Sequence, residues 1–235
     1  MDETQNTLNF IARWLFILCL PVVLLTGGIA IAVNSQWFYE WGFDRYDVGQ
    51  TTGLEDSQLG KAAGGLIDYF NSGDEYIDLT VTRDGQPFTL FNQREIGHMK
   101  DVKGLIRLDY WVLVATGGYV LLYSVLSLCW LTEESRRQLV GATVGGSGLT
   151  LGVMLALGLI AVIDFDWFFL QFHLISFTND LWQLDPAKDY LIMLFPQGFW
   201  SDAALFCAIL TVALAVIIGG TAGGYLLYRR RQGIW

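Results

Sequence analysis

Charge is scarce in this chain. Of its 235 residues only 16% are Asp, Glu, Lys or Arg, while 53% are hydrophobic. A soluble domain carries roughly 25% charged residues. So few charges cannot cover an apolar core without leaving large exposed patches, which excludes both an ordinary water-soluble globule and a disordered chain. Basic charge is scarcer still: 14 Lys and Arg stand against 23 Asp and Glu, for a net charge of −9 with no basic stripe. That argues against nucleic acid as a partner. Histidine occurs twice, as His98 and His173, so imidazole chemistry is confined to two positions. Cysteine occurs three times (Cys19, Cys129, Cys207), each time inside an apolar run and never as CxxC. Disulfide exchange would need loop thiols, so these read as inert core residues. GxSxG, P-loop and HExxH motifs are missing.

Long apolar runs are what the chain does have. Four are long enough for the roughly 20 residues that cross a hydrocarbon core of about 30 Å: Ile11 to Val33, Leu108 to Leu131, Leu139 to Ile163, and Ala203 to Tyr228. None has a charge in its middle; Arg13 and Asp109 lie at ends, where a charged group reaches the interface. A channel or transporter would show polar residues at mid-span. The first run is long, follows an acidic start (Asp2, Glu3) and has no A-x-A site, so it reads as a retained helix, with Pro21 as a place to kink. Arg13, the Arg136–Arg137 pair and Arg229–Arg231 fall on one side if there are four spans, and the positive-inside rule makes that side cytoplasmic. The two loops on the other side, residues 34–107 and 164–202, carry −5 each, so the acidity belongs to them.

The expected architecture is an all-α polytopic membrane protein: a four-helix transmembrane bundle with a small extracytoplasmic α+β cap from the first loop. Its parts are residues 1–33 (N-terminus and first span), 34–107 (loop domain), 108–163 (hairpin of spans two and three), 164–202 (interfacial loop) and 203–235 (last span and basic tail). Glycines recur at three- and four-residue spacing in the last two spans (Gly141, Gly145, Gly148, Gly152; Gly219, Gly220, Gly223, Gly224). Such small faces let helices approach closely, within the bundle or across a dimer, and the oligomeric state stays open.

The first loop has an amphipathic stretch from Asp56 to Asn71, with Leu59, Ala62, Ala63, Leu66, Ile67 and Phe70 at helical spacing. Strand-like YIDLTVT and PFTLF follow, joined at DGQ, which predicts a hairpin. Asn92 and Glu95 make a variant capping box, and the chain then runs without proline into the second span as one helix or two close ones. His98 and Asp101, three apart, share a face. His98 lies ten residues before Leu108, about 15 Å of helix rise. The second loop is crowded with aromatics, as at a headgroup-level belt, but interleaves His173, Asn179, Asp180 and Asp189 with them. If the two imidazoles meet at the bundle mouth, they could serve as general acid and base. Asp101, Asp180, Asp189 and Glu95 would be the carboxylates to fix a tautomer. The alternatives are two unrelated histidines in a tetraspan scaffold, or a metal-dependent hydrolase using both.

FNQREIGHMKDVKGLI (91–106) resembles the E-x-x-HM-x-DVK stretch of the bacterial lipoprotein intramolecular transacylases and their wider integral-membrane family. FHLISFTNDLWQLDPAKDYLIMLFPQGFW (172–200) is similar to that family's second block, and TGLEDSQL (52–59) and LIDYF (66–70) also look like it. Each of the two specific motifs holds one of the two histidines; the YEWGFDRY segment is not placed against the family. The resemblance implies an enzyme that moves the sn-2 acyl chain of a diacylglyceryl-cysteine to the α-amino group of the same cysteine, giving a lyso-form lipoprotein. It implies a diacylated lipoprotein and membrane lipid as partners, a bacterial cytoplasmic-membrane location with the site facing the outer leaflet, and no cofactor or metal. His98 and His173 would be catalytic, His173 as base and His98 as polarising partner. Asp101, Glu95, Asn179, Asp180 and Asp189 would support or orient them, and Trp182, Phe172 and Phe199 would face substrate or the membrane interface. The reacting amine and ester come together on one substrate, so no enzyme Ser or Cys nucleophile is required.

Overall fold

The computed structural model of the chain describes residues 3–129 and 132–233. Asp2 of the acidic start and Leu131, the expected end of the second span, lie outside them. Four helices are long and apolar enough to cross a membrane: α1 (Glu3–Val33), α5 (Gln93–Cys129), α6 (Glu133–Ile163) and α9 (Gln197–Arg231). Between α1 and α5 lie α2 (Gln36–Arg45), α3 (Val48–Thr52), α4 (Asp56–Asn71), β1 (Thr80–Arg83) and β2 (Gln86–Thr89). Between α6 and α9 lie α7 (Phe165–Ser176) and α8 (Tyr190–Leu194). The chain forms two compact units: Met1–Ile29 with Asp109–Ile163 and Cys207–Trp235, and Ala30–Leu108 with Asp164–Phe206.

The first unit is the membrane bundle. Phe16, Ile17, Leu20 and Leu24 of α1 pack with Leu139 and Ala142 of α6 and Ala215 of α9, with Tyr119 and Tyr123 of α5 against them. The Tyr119 hydroxyl donates to the Ala12 carbonyl at 2.7 Å, tying α5 to α1. Close packing rests on particular glycines. A Cβ on Gly146 would lie 2.9 Å from Leu20 Cδ2 and 3.3 Å from the Ile17 carbonyl, and one on Gly219 would lie 2.6 Å from Ser147 Cβ. Small residues thus do the work that water-driven burial does elsewhere. Gly148, Gly152, Gly220 and Gly224 have open space instead. Outward positions stay apolar, as Leu121, Leu155 and Val162 show. Of the cysteines only Cys19 is buried; Cys207 is half-buried and Cys129 exposed, so the expectation of three interior thiols holds for one.

The second unit is the α+β one. The buried face of α4 carries Leu59, Ala62, Ala63, Leu66, Tyr69 and Phe70, with Tyr69 buried where Ile67 was expected. Gly65 lets this helix meet Leu79, whose Cδ1 would lie 2.5 Å from an added Cβ. The hairpin pairs Thr80 with Thr89 through Arg83 with Gln86. Its turn is Asp84–Gly85, both at positive φ (53° and 76°), which matches the right-handed twist of the strands. Within YEWGFDRY, a side chain on Gly42 would collide with the Phe199 ring at 2.4 Å, and Arg45 and Tyr46 both donate to Asp202 Oδ2. That segment is a packing module for Phe199.

Candidate active site

Helix α5 is 37 residues long, about 55 Å at 1.5 Å per residue, far more than a hydrocarbon core requires. Its apolar run begins at Leu108, so Gln93–Arg107 lies outside the span and belongs to the second unit. The start is a capping box. The Asn92 side chain accepts from the Arg94 and Glu95 amides at 2.9 and 3.2 Å, and the Asn92 amide donates to Glu95 Oε2 at 2.7 Å. Glu95 is 1% exposed, and its Oε1 accepts from the Leu191 amide at 2.7 Å. Asp189 completes the knot, taking Asn92 Nδ2 at 2.8 Å and the Asp185 amide at 2.7 Å. Burial raises the Glu95 pKa, and the amide donors oppose it.

One turn later α5 presents Arg94, Gly97, His98 and Asp101 along one face, and each meets the stretch 177–182. Arg94 donates to the Asp180 carbonyl. A Cβ on Gly97 would lie 2.9 Å from Leu181 Cδ1. His98 packs edge-on to Phe177 with centroids 5.0 Å apart, and Asp101 accepts from Asn179 Nδ2 at 2.8 Å. Asn179 Oδ1 also accepts from the Leu181 amide, which shapes the turn. Asp180 keeps its carboxylate for Gln183 at 3.3 Å.

His173 sits on α7, whose N-cap Asp164 accepts from the Trp167 amide at 2.9 Å. The His98 and His173 rings are 6.2 Å apart, centroid to centroid, at 31°. Each residue is nearly closed to solvent, at 7% and 8% exposure. Around His173 stand Phe169 (4.4 Å), Trp182 (4.9 Å), Phe172 (5.4 Å) and Phe177 (5.6 Å). The His173 Nδ1 atom lies 2.8 Å from the Phe169 carbonyl oxygen. A carbonyl only accepts, so Nδ1 carries the proton and the Nε2 lone pair is left open. His98 Nδ1 is buried with no hydrogen-bond partner among the described residues. Burial, then the neighbouring His173, pushes His98 down to about 4 against the pull of Asp101. Burial lowers His173 as well, opposed by its bond to Phe169. Both imidazoles are therefore neutral at pH 7.

The two histidines, Trp182, Phe172 and the Asp101–Asn179 pair come together. The carboxylates proposed to fix a tautomer bond elsewhere: Glu95 and Asp189 to backbone and Asn92, Asp101 to Asn179, Asp180 to Gln183. A backbone carbonyl orients His173 instead. Phe199 is not in the ring contacts of the pair; it packs at tilted or edge-on angles against Phe38, Tyr39, Phe195 and Trp200. Phe169 and Phe177 were missed: Phe169 lies one helical turn before His173, and Phe177 is the extended residue that caps the C-terminal end of α7. Among the described residues no group of three His, Cys, Asp or Glu side chains is placed to share a metal ion.

A helical membrane bundle joined to a small α+β unit that buries two neutral imidazoles in an aromatic shell defines the class: an integral membrane protein with a paired-histidine site. Residues 14–200 match the family model of the lipoprotein intramolecular transacylase Lit, and the chain belongs to that family. Its fold is similar to solved structures of Lit from Bacillus cereus. One has a TM-score of 0.77 at 19% identity, covering 97% of this chain and 99% of that one. A histidine-to-arginine variant of the same protein gives 0.76, covering 98% and 96%. An uncharacterized protein of Aquifex aeolicus is 24% identical over 211 residues, 87% of this chain and 89% of the relative.

Proposed function

We propose that this chain is a lipoprotein intramolecular transacylase that moves the sn-2 acyl chain of a diacylglyceryl-cysteine onto the α-amino group of the same residue. The observation that carries the reading is the buried His98–His173 pair, 6.2 Å apart, with the Nε2 lone pair of one open and Nδ1 of the other unpartnered. The amine nitrogen attacks the sn-2 ester carbonyl. His173 Nε2 takes the ammonium proton released as the C–N bond forms, and neutral His98 donates toward the developing oxyanion. The C–O bond then breaks, and the proton held by His173 goes to the glyceryl oxygen. The products are an amide and a secondary alcohol on one molecule, with no atom gained or lost. Nucleophile and electrophile arrive tethered, so proximity supplies part of the rate. The aromatic shell, with Phe177 buried and Phe169 and Trp182 half-buried, limits the water that would hydrolyse the ester, and the more exposed Phe172 lies at its edge.

Asp101 and Asn179 act as positioning residues, holding the 177–182 turn that carries Phe177 and Trp182. The chain spans a bacterial cytoplasmic membrane with its basic flanks and both termini on the cytoplasmic side and the site facing the outer leaflet. The reaction is an isomerisation, so intact mass does not change. The test is tandem mass spectrometry of a lipoprotein from bacteria lacking N-acylation, expressing this chain or its His98→Ala and His173→Ala variants. Expected are an N-acyl fragment and a lyso-glyceryl group with wild type, and neither with the variants. A free α-amino group in cells expressing wild type overturns the proposal.

A further inference from the structure

At the opposite pole of the chemistry, three arginines from three helices line one cleft of about 350 Å³ in the bundle: Arg13 of α1, Arg137 of α6 and Arg230 of α9. Glu134 is the acid in its lining, and Glu134 Oε1 already accepts from Arg137 at 3.0 Å and from Gln138 at 3.2 Å. Arg13 and Arg230 have no carboxylate within ion-pair distance among the described residues. The cleft therefore holds an excess of two positive charges. The neighbouring Arg136 and Arg229 differ: both pair with Glu133, at 2.8 and 3.1 Å. Orientation in the membrane needs basic residues at this end but does not need two of them to share a cavity without acids. The back wall is Gly141, where a Cβ would lie 3.8 Å from Arg13 Nη2, so the missing side chain leaves room beside the guanidinium. Leu226 lines the cleft too, so an apolar side chain stands beside the charges.

We propose that this cleft binds the phosphate of an anionic phospholipid. Two guanidiniums without acidic partners offer forked donors to phosphate oxygens, and basic pockets between membrane helices take such headgroups. Leu226 and the position of the cleft on a membrane-spanning bundle favour the lipid over free phosphate. The site is separate in sequence and in unit from the histidine pair, so its occupancy does not depend on the transacylase reading.

The test is native mass spectrometry of the purified full chain in detergent, titrated with phosphatidylglycerol or phosphatidylcholine, with and without millimolar inorganic phosphate. Wild type is expected to retain phosphatidylglycerol about tenfold better than phosphatidylcholine, unaffected by phosphate. Arg13→Gln combined with Arg230→Gln removes the preference. Gly141→Leu, which fills the cleft and keeps every charge and hence the orientation, removes it as well, while Arg136→Gln leaves it in place. Equal retention of the two lipids by wild type overturns the proposal, as does a preference that survives both the double variant and Gly141→Leu. Displacement of phosphatidylglycerol by phosphate overturns the assignment to a lipid.

Discussion

Two neighbouring clusters in the second unit treat buried polar groups in opposite ways. In the knot of Asn92, Glu95 and Asp189, both oxygens of each carboxylate have donors, drawn from the backbone or from Asn92. In the pair one turn further along α5, His98 Nδ1 has none and His173 spends one nitrogen on Phe169. A buried polar group left unsatisfied costs about 1–3 kcal/mol. The chain avoids that cost at Glu95 and carries it at His98. Satisfied groups fix architecture; an unspent imidazole atom is what the proposed transacylation would use.

The largest effect falls on the pair. His173→Ala should lower transacylation by about 10²–10⁴-fold, the range for a lost acid–base group, with thermal unfolding little changed. His98→Ala should follow, and a large loss of stability in either would merge the two clusters into one structural class. Glu95→Ala is the converse: it strands the Asn92 and Leu191 amides and should cost about 2–4 kcal/mol, read as a fall in unfolding temperature with detergent-extracted protein. Glu95→Gln, which keeps one acceptor oxygen, should lose less. Next comes the bundle. Gly146→Val forces a side chain against Leu20 and the Ile17 carbonyl and should destabilise by about 1–3 kcal/mol, whereas Gly148→Ala, in open space, should be silent. Asp101→Asn, which weakens the hold on Asn179, should cost only a few-fold in kcat and leave KM and the unfolding temperature unchanged.

The comparison also has a pH signature. Both folded histidines sit below the ordinary value of about 6.5, so the folded state binds fewer protons than the unfolded state in mild acid. Their contribution to stability is full above about 6.5 and is lost as pH falls toward about 4, the value for His98. Imidazole carbon-proton resonances should show His98 still neutral at pH 5.5; half-protonation there would place it in water rather than in the shell.

Much of this was legible in the sequence. The four spans follow from apolar runs, the hairpin from Asp84–Gly85 between alternating segments, and the start of α5 from Asn92 and Glu95. What was not legible either required partners distant in sequence or lacked a local pattern. Glu95 looked like an orienting acid because its bond to Leu191, 96 residues away, cannot be read locally. Helix α7 was hidden because FDWFFLQFHLIS is apolar on nearly every side, leaving no periodicity to separate a helix from a belt, and with it went Phe169 and Phe177. Among the glycines, spacing alone could not distinguish Gly219, which meets a neighbouring helix, from Gly148 and Gly220, which do not, and it left out Gly146, which meets α1.

The central claim is that neutral His98 and His173 move an acyl chain within one molecule. The most direct measurement uses the purified chain in vesicles with a synthetic diacylglyceryl-cysteine peptide labelled with ¹³C in its sn-2 chain, mixed with an unlabelled peptide of different sequence. The account predicts that the label moves to the α-nitrogen of its own peptide, with no crossover to the other, and that His173→Ala abolishes the transfer. Labelled free fatty acid, label on the second peptide, or transfer undiminished in His173→Ala would contradict it.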